Sequence, residues 1–307
     1  MTGIMIDASA IADFLSLDLY GEDLKVNKPS DLNSSECGAL KFAGIVSDKY
    51  VKIINSNPDS FVIALDGYEG LLSTTHVLSK NPRLDFCKVL QHFFPIVYPA
   101  KIEGSAIVNP DAVLGKNIYI GHNVVIEEAV IIGDNSVVLH NVIIGKGVRI
   151  GKNCLIKSGS VIGQKGFGFE RDHDGCPIPF NHYGSVTIGD HVEIGALSTI
   201  ACGVLSDTII EDMVKIDDHV FIAHNTRVGK GSFIIACAEI SGSVSIGENV
   251  WIGPNASVID KCAIGNNALI GIGAVVTRPV GEGIVSAGNP ARKLRMKECD
   301  VGPEHKT

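Results

Sequence analysis

A period of six residues dominates the chain between residues 102 and 276. Aliphatic residues stand at 102 and every sixth position to 162, at 188, 194 and 200, and at 210 and every sixth position to 276. A helix would give spacings of three and four, and a simple strand would alternate at two. A period of six predicts a solenoid whose triangular coil holds three hexapeptides. The aliphatic side chain points inward, a small residue fits the corner, and a following glycine relieves the bend.

Two interruptions and two flanks set the predicted organisation. Residues 163–187 form a Gly- and Pro-rich insertion, which predicts a long external loop, and a four-residue slip lies between the aliphatics at 200 and 210. Residues 1–98 lack the hexapeptide and mix helical with strand-like patterns. We therefore expect a mainly β chain. It has a small N-terminal α/β domain at 1–98, a β-helix at 99–278 with its insertion, and a short tail at 279–307.

The composition excludes several classes of protein. The chain has 26 basic and 34 acidic residues, a net charge of −8, which argues against binding to nucleic acid through phosphate neutralisation. No run of eighteen apolar residues occurs, so we expect no membrane span, and the first twenty residues lack the pattern of a secretory signal. The eight cysteines include no C-x-x-C pair, as expected for reduced thiols. These features predict a cytoplasmic protein.

A coil of eighteen residues places residues eighteen apart above one another, about 4.8 Å apart. His224, Gly242 and Asp260 therefore form one column, in which an outward-pointing histidine lies beneath a glycine backbone amide. A base beside an oxyanion donor is what the aminolysis of a thioester requires. His122 and His140 are also eighteen apart, and we assign them no role, so a column alone does not identify a site.

Two other functions fit parts of the pattern. γ-Class carbonic anhydrases share this solenoid, and His219 and His224 have the five-residue separation of two of their zinc ligands. His191 or His182 would have to complete that site. A non-catalytic scaffold or regulatory subunit is the other alternative. A nucleotidyltransferase is disfavoured because residues 1–98 are too short for its domain and lack a Gly-rich phosphate loop.

Four segments carry a family resemblance, which extends from the N-terminus to about residue 278. They are GFGFE at 166–170, VTIGDHVEIGALSTI at 186–200, LSDTIIEDMVKIDDHVFIAHNTRVG at 205–229 and SGSVSIG at 241–247. With them the chain resembles the UDP-3-O-acylglucosamine N-acyltransferase family of the lipid A pathway. The resemblance implies a left-handed coil, a homotrimer with active sites between neighbouring helices, and no bound cofactor or metal. It also implies acyl transfer from a thioester to the amine of a UDP-linked amino sugar.

The resemblance assigns roles to particular residues. It makes His224, in the string IAHN, the general base, and it makes the backbone amide of Gly242 the oxyanion donor. The family stacks the uracil ring on two aromatic side chains of its N-terminal domain. Phe42 in LKFAG and Tyr50 in SDKY are the matching residues here.

The sequence departs from the family pattern near the substrate. Lys261, in VIDKC, stands where the family has a second active-site histidine, and Ala-Cys-Gly at 201–203 replaces its usual Asp-Arg-Gly. We expect Lys261 and Asp217 to contact the substrate.

The C-terminal part also departs from the family, which continues into a helical extension that engages acyl carrier protein. Here the sequence AGNPARKLR at 287–295 resembles instead coenzyme A-dependent hexapeptide acetyltransferases. In that resemblance Arg292, Lys293 and Arg295 would contact coenzyme A phosphates. The expected donor is therefore an acyl-coenzyme A or an acyl carrier protein thioester.

Overall fold

The computed structural model describes residues 5–297, which divide into two compact units at residues 97 and 98. The N-terminal unit contains helices α1 (Ala8–Leu15), α2 (Asp48–Asn55) and α3 (Pro82–Phe93). Its five-stranded sheet runs in the order Leu19–Tyr20, Thr75–Ser79, Phe61–Leu65, Ala39–Ala43 and Lys28–Pro29. Only the first strand is antiparallel to its neighbour. Ile6–Asp7 and Lys25–Val26 form a separate antiparallel pair.

Local sequence explains why α2 and α3 begin where they do. The Ser47 hydroxyl accepts a hydrogen bond from the Tyr50 amide at 3.3 Å, and the Asn81 side chain accepts one from the Leu84 amide at 3.1 Å. Each cap satisfies an amide that the first helical turn leaves unpaired. Alternate residues of the central strands enter two cores, Leu40, Phe61 and Ile63 on one face and Ala43, Val62 and Ala64 on the other.

Residues 98–297 form a parallel β-helix with three faces. The first face comprises Lys101–Ile102, Tyr119–Ile120, Val137–Val138, Leu155–Ile156, Glu193–Ile194, Lys215–Ile216, Phe233–Ile234, Trp251–Ile252, Leu269–Ile270, Ile284–Ala287 and Arg292–Met296. The second comprises Ile107–Val108, Val125–Ile126, Ile143–Ile144, Val161–Gln164, Thr199–Ala201, Phe221–Ile222, Glu239–Ile240, Ser257–Val258 and Val275–Val276. The third comprises Val113–Leu114, Ile131–Ile132, Arg149–Ile150, Val186–Ile188, Thr208–Ile210, Arg227–Val228, Ser245–Ile246 and Ala263–Ile264. A hairpin of Phe169–Arg171 and Pro177–Pro179 projects from the insertion.

The predicted register of eighteen is confirmed outside the two interruptions. Ile222 pairs with Ile240, and Ile240 pairs with Val258. The insertion and the slip each lengthen the sequence separation between paired residues of successive coils. Across the insertion Ile150 pairs with Ile188, and across the slip Ile188 pairs with Ile210. The in-phase aliphatics form one continuous core along the helix axis. Neighbouring coils thus bury each other's interior, as a solenoid requires.

The predicted reason for the glycines after the aliphatics was wrong. The left-handed backbone that turns each corner falls two residues later, often on asparagine, as at Asn123 (φ 56°) and Asn225 (φ 58°). The glycines are needed because coils approach closely. A Cβ on Gly121 would lie 2.8 Å from the His140 backbone nitrogen, nearer than a carbon atom can pack.

The β-helix continues beyond residue 278, where we had expected a tail. Ile284–Ala287 pairs in parallel with Leu269–Ile270, and Arg292–Met296 folds back on it as an antiparallel strand. This final hairpin covers the last open coil. The predicted tail after residue 297 lies outside the described residues. Within residues 5–297, the helices are too short or too polar to cross a membrane.

Candidate functional site

The two interruptions of the repeat meet at one corner of the β-helix. The Cys202 amide donates to the Gln164 carbonyl at 2.9 Å, which joins the slip to the start of the insertion. The Tyr183 amide donates to the Val204 carbonyl at 2.6 Å, which joins the slip to the end of the insertion. Both departures from the period therefore contribute backbone to the same place, beside the coil that carries His224.

Asn225 connects the slip to His224. Its amide oxygen accepts from the Val204 backbone amide at 3.0 Å, and its amide nitrogen donates to the Ser206 carbonyl at 2.9 Å. The oxygen therefore faces His224, whose Nδ1 lies 3.2 Å away. Because an amide oxygen only accepts, Nδ1 carries the ring proton. Nε2 of His224 is left with its lone pair free, as a general base requires.

Gly242 lies directly above His224, as the column predicted. The Ser243 amide donates to the His224 carbonyl at 2.9 Å, which fixes the two coils. A Cβ on Gly242 would lie 2.6 Å from Cε1 and 2.8 Å from Nε2 of the imidazole, so only glycine leaves room for the ring. The Gly242 amide donates to no acceptor within residues 5–297. A free base nitrogen and a free backbone amide thus lie side by side.

The insertion adds a second imidazole, that of His182, which the sequence pattern indicated only as a candidate zinc ligand. His182 is buried, and its ring centroid lies 5.6 Å from that of His224 with the planes 79° apart. The backbone of Gly166 approaches both rings. A signal was present in the sequence, because His182 lies within the insertion shortly before Val186–Ile188, the strand with which the repeat resumes.

Cys202, within the slip, has a thiol that could in principle form a covalent acyl intermediate. Its environment argues against that role. The side chain is buried, and this burial raises the pKa of the thiol, opposed in part by a backbone hydrogen bond and by the charge of Lys165. A thiol must ionise to attack an acyl group, so this environment disfavours that step.

The other β-helix residues predicted at the substrate, Asp217 and Lys261, lie at two different corners. Asp217 occupies the corner between the first and second faces, where its carboxylate accepts from the backbone amides of Asp218 and Ala236. Lys261 stands at the corner of His224, two coils above Asn225, and its side chain is 82% exposed. These positions are compatible with contacts to a bound molecule outside the coil.

Of the histidines in the zinc alternative, His182 and His224 are neighbours, while His219 and His191 lie at other corners of the β-helix. His219 lies at the corner between the first and second faces, one corner before His224. His191 lies at a different corner, between the third and first faces. Within residues 5–297, no group of three histidine, cysteine or acidic side chains is arranged to hold a metal ion.

In the N-terminal unit, Phe42 and Tyr50 line one cavity of about 680 Å³. The cavity lies at the carboxyl ends of three parallel strands, where Ser30, Ala43 and Leu65 contribute to its wall. Crevices at the carboxyl ends of parallel strands commonly bind ligands. Asn81 and Arg83, around the start of α3, contribute polar groups to the cavity together with Asp31.

Arg292 and Lys293 line a cavity of about 250 Å³ at the C-terminal end of the β-helix. Arg278, which sequence reasoning missed, is a third cation in its wall, and the lining contains no carboxylate. Arg278 follows the in-phase Val276 by two residues, as His224 follows Ile222, and this equivalence could have identified it. Arg295 is exposed on the same strand but does not line the cavity.

Comparison with known proteins places the chain among acyltransferases. The family models for the "GMPPB C-terminal domain" and the "Bacterial transferase hexapeptide (six repeats)" match residues 94–166 and 243–278. UDP-N-acetylglucosamine acyltransferases from Bacteroides fragilis and Francisella novicida have similar structures, each with a TM-score of 0.59. They are 25% and 24% identical, and the match covers 64% of this chain and 74% or 70% of theirs. This likeness confirms the predicted left-handed parallel β-helix.

Two sequence relatives extend over nearly the whole chain. A UDP-3-O-acylglucosamine N-acyltransferase from Campylobacter lari is 38% identical over 92% of this chain and 92% of its own length. A protein of the same name from Coxiella burnetii is 32% identical over 93% and 89%. The chain therefore belongs to the UDP-3-O-acylglucosamine N-acyltransferase family.

Proposed function

We propose that this enzyme transfers an acyl group from a thioester to the amine of a UDP-linked amino sugar, in the biosynthesis of lipid A or another surface polysaccharide. The observation that carries the proposal is the free Nε2 of His224 against the free backbone amide of Gly242. The family relationship supports the same reaction.

In the proposed reaction the sugar amine attacks the thioester carbonyl. Nε2 of His224 accepts a proton from the attacking amine, and the Gly242 amide donates a hydrogen bond to the oxyanion of the tetrahedral intermediate. The C–S bond then breaks, and the imidazolium of His224 returns the proton to the departing thiolate. The products are an amide and a free thiol, and His224 ends in its starting tautomer.

The cavity that contains Phe42 and Tyr50 is the proposed site for the uracil ring. Replacing Phe42 with alanine is expected to raise the KM for the nucleotide sugar by roughly 5- to 150-fold, since stacking a base on an aromatic ring is worth about 1–3 kcal/mol. The value of kcat should change little, because the uracil ring takes no part in bond formation at the sugar amine. Steady-state kinetics with varied acceptor concentration measures both constants.

Tyr20 provides the matched control for Phe42. It is an exposed aromatic residue of the same sheet that lines a different cavity, with its ring stacked on His76. Tyr20→Ala should leave the acceptor KM unchanged. An equal effect of both substitutions would contradict the assignment of the uracil site.

The cation-lined cavity formed by Arg278, Arg292 and Lys293 is the proposed contact for donor phosphates. Reversing two charges in an Arg292→Glu, Lys293→Glu variant should raise the KM for an acyl-coenzyme A at least about 10-fold, because charge-assisted hydrogen bonds to phosphate are lost and repulsion replaces them. Added salt should reduce the difference from the unmodified enzyme. Lys230→Glu, at an exposed lysine elsewhere on the β-helix, is the control. An unchanged donor KM in the double variant would contradict this site.

The proposal includes a homotrimer working in the cytoplasm. The cleft between neighbouring β-helices would then enclose the acyl chain, with acyl carrier protein as the partner if it supplies the donor. Sedimentation equilibrium measures the assembly directly, and a monomer or dimer would contradict it.

A donor–acceptor screen tests the function itself. Acetyl-coenzyme A, 3-hydroxybutyryl-coenzyme A and long acyl carrier protein thioesters are each paired with UDP- and dTDP-amino sugars, and the released thiol and the new amide are both quantified. Amide formation from at least one pair is expected, and the pair identifies the substrates. No transfer from any thioester, together with full biological function of a His224→Ala variant, would favour the scaffold alternative. Stoichiometric zinc in the purified protein would revive the carbonic anhydrase alternative.

A further inference from the structure

His182 has a nitrogen atom whose hydrogen-bonding capacity is unused. Its side chain is 9% exposed, and its Nδ1 lies 3.0 Å from the carbonyl oxygen of Phe180. A carbonyl only accepts hydrogen bonds, so Nδ1 carries the proton and Nε2 presents a lone pair. Nε2 is buried and has no hydrogen-bond partner within residues 5–297. Unpaired buried acceptors are rare and costly, which indicates that a donor comes from outside the chain.

Nε2 of His182 lies at the same corner of the β-helix as His224. The two imidazole centroids are 5.6 Å apart and nearly perpendicular. A Cβ on Gly166 would lie 3.2 Å from Nε2 of His182 and 3.3 Å from Cδ2 of His224. Gly166 therefore covers both rings with backbone alone. Because residue 166 has no side chain, the space beside Nε2 of His182 and Cδ2 of His224 is not filled by a Cβ.

We propose that His182 binds the acceptor amine. One N–H of the amine donates to Nε2 of His182 while a second faces Nε2 of His224, so the nitrogen lone pair points at the thioester carbonyl. Only His224 gains and returns a proton, and His182 keeps its tautomer throughout. The inference rests on the proposed function and adds to it the group that orients the nucleophile. It also gives the insertion a purpose, since the insertion alone brings this imidazole to the site.

Kinetics of a His182→Phe variant test the proposal. Phenylalanine keeps a buried ring of similar size but cannot accept a hydrogen bond. We expect kcat/KM for the amino sugar to fall about 5- to 150-fold, because one N–H of the bound amine is left without an acceptor in a buried site. The KM for the thioester should stay unchanged. His173→Phe is the matched control, because His173 is an exposed histidine of the same insertion.

Nitrogen NMR of the unmodified enzyme labelled at histidine provides a test that needs no variant. The Nε2 resonance of His182 should be that of an unprotonated nitrogen and should move when the amino sugar binds. An analogue with hydrogen in place of the amine should bind without moving it. An unmoved resonance, or a folded His182→Phe variant with full kcat/KM, would overturn the proposal. An unmodified enzyme that acylates no amine would instead overturn the proposed function.

Discussion

Replacing His224 with alanine is expected to lower kcat by about 10²- to 10⁴-fold, the usual contribution of a positioned base. The structure gives the physical reason, because Asn225 holds the proton on Nδ1 and leaves Nε2 as the basic atom beside Gly242. The substitution removes an outward-facing side chain that is not part of the aliphatic core. The melting temperature and the assembly state should therefore match those of the unmodified enzyme.

The measurement is amide formation under saturating concentrations of both substrates. His219→Asn is the matched control, since His219 is an exposed histidine of the same coil and asparagine tolerates its left-handed backbone (φ 59°). The control should retain full turnover. A folded His224→Ala enzyme with near-normal kcat would refute the assignment of the base.

Adding a single methyl group at Gly242 is expected to reduce kcat by roughly 10²-fold, the order of loss that follows a displacement of about 1 Å in a catalytic group. The new carbon would lie 2.6 Å from Cε1 of His224, so the imidazole must rotate away. The fold should persist, because the clash is with the end of a side chain. Thermal unfolding and kcat, measured on the same Gly242→Ala preparation, separate the two effects.

Gly104→Ala serves as its control, because a methyl group there meets nothing within 4 Å. The double variant of His224 and Gly242 gives the sharper test. If the methyl group acts only by displacing the imidazole, the double variant should be no slower than His224→Ala alone. A further loss in the double variant would measure damage to the oxyanion amide. Unchanged turnover in Gly242→Ala would contradict the geometry of the pair.

The β-helix and the stacking of Gly242 over His224 could be predicted from sequence because both follow from periodicity, whereas the left hand of the coil was implied by the family resemblance. A period of six has one structural solution, and a coil of eighteen then places Gly242 over His224 without any further information. The sequence showed where the glycines recur, but it did not show why glycine is required at those positions. The contact that requires Gly121 involves a residue one coil away, and a repeat does not reveal how closely two backbones approach.

The parts that escaped prediction depend on segments without a period. The tautomer of His224 is set by Val204 and Ser206 through Asn225, and these atoms belong to the slip. His182 is brought to the corner by the path of the insertion, which no spacing rule describes. The last hairpin was read as a tail because Arg292–Met296 is polar and lies outside the repeat.

The meeting of slip and insertion at one corner makes the site independent of the length of the β-helix. The groups that orient His224 all come from residues 164–242, and in a solenoid each coil contacts only its neighbours. Whole coils outside this span could therefore be gained or lost without disturbing the imidazole. Coils gained or lost after residue 242 would change the distance from His224 to the cation-lined end of the β-helix. The geometry around His224 is thus independent of its distance from the proposed donor-phosphate site. The same catalytic groups could therefore act on acyl donors of different length.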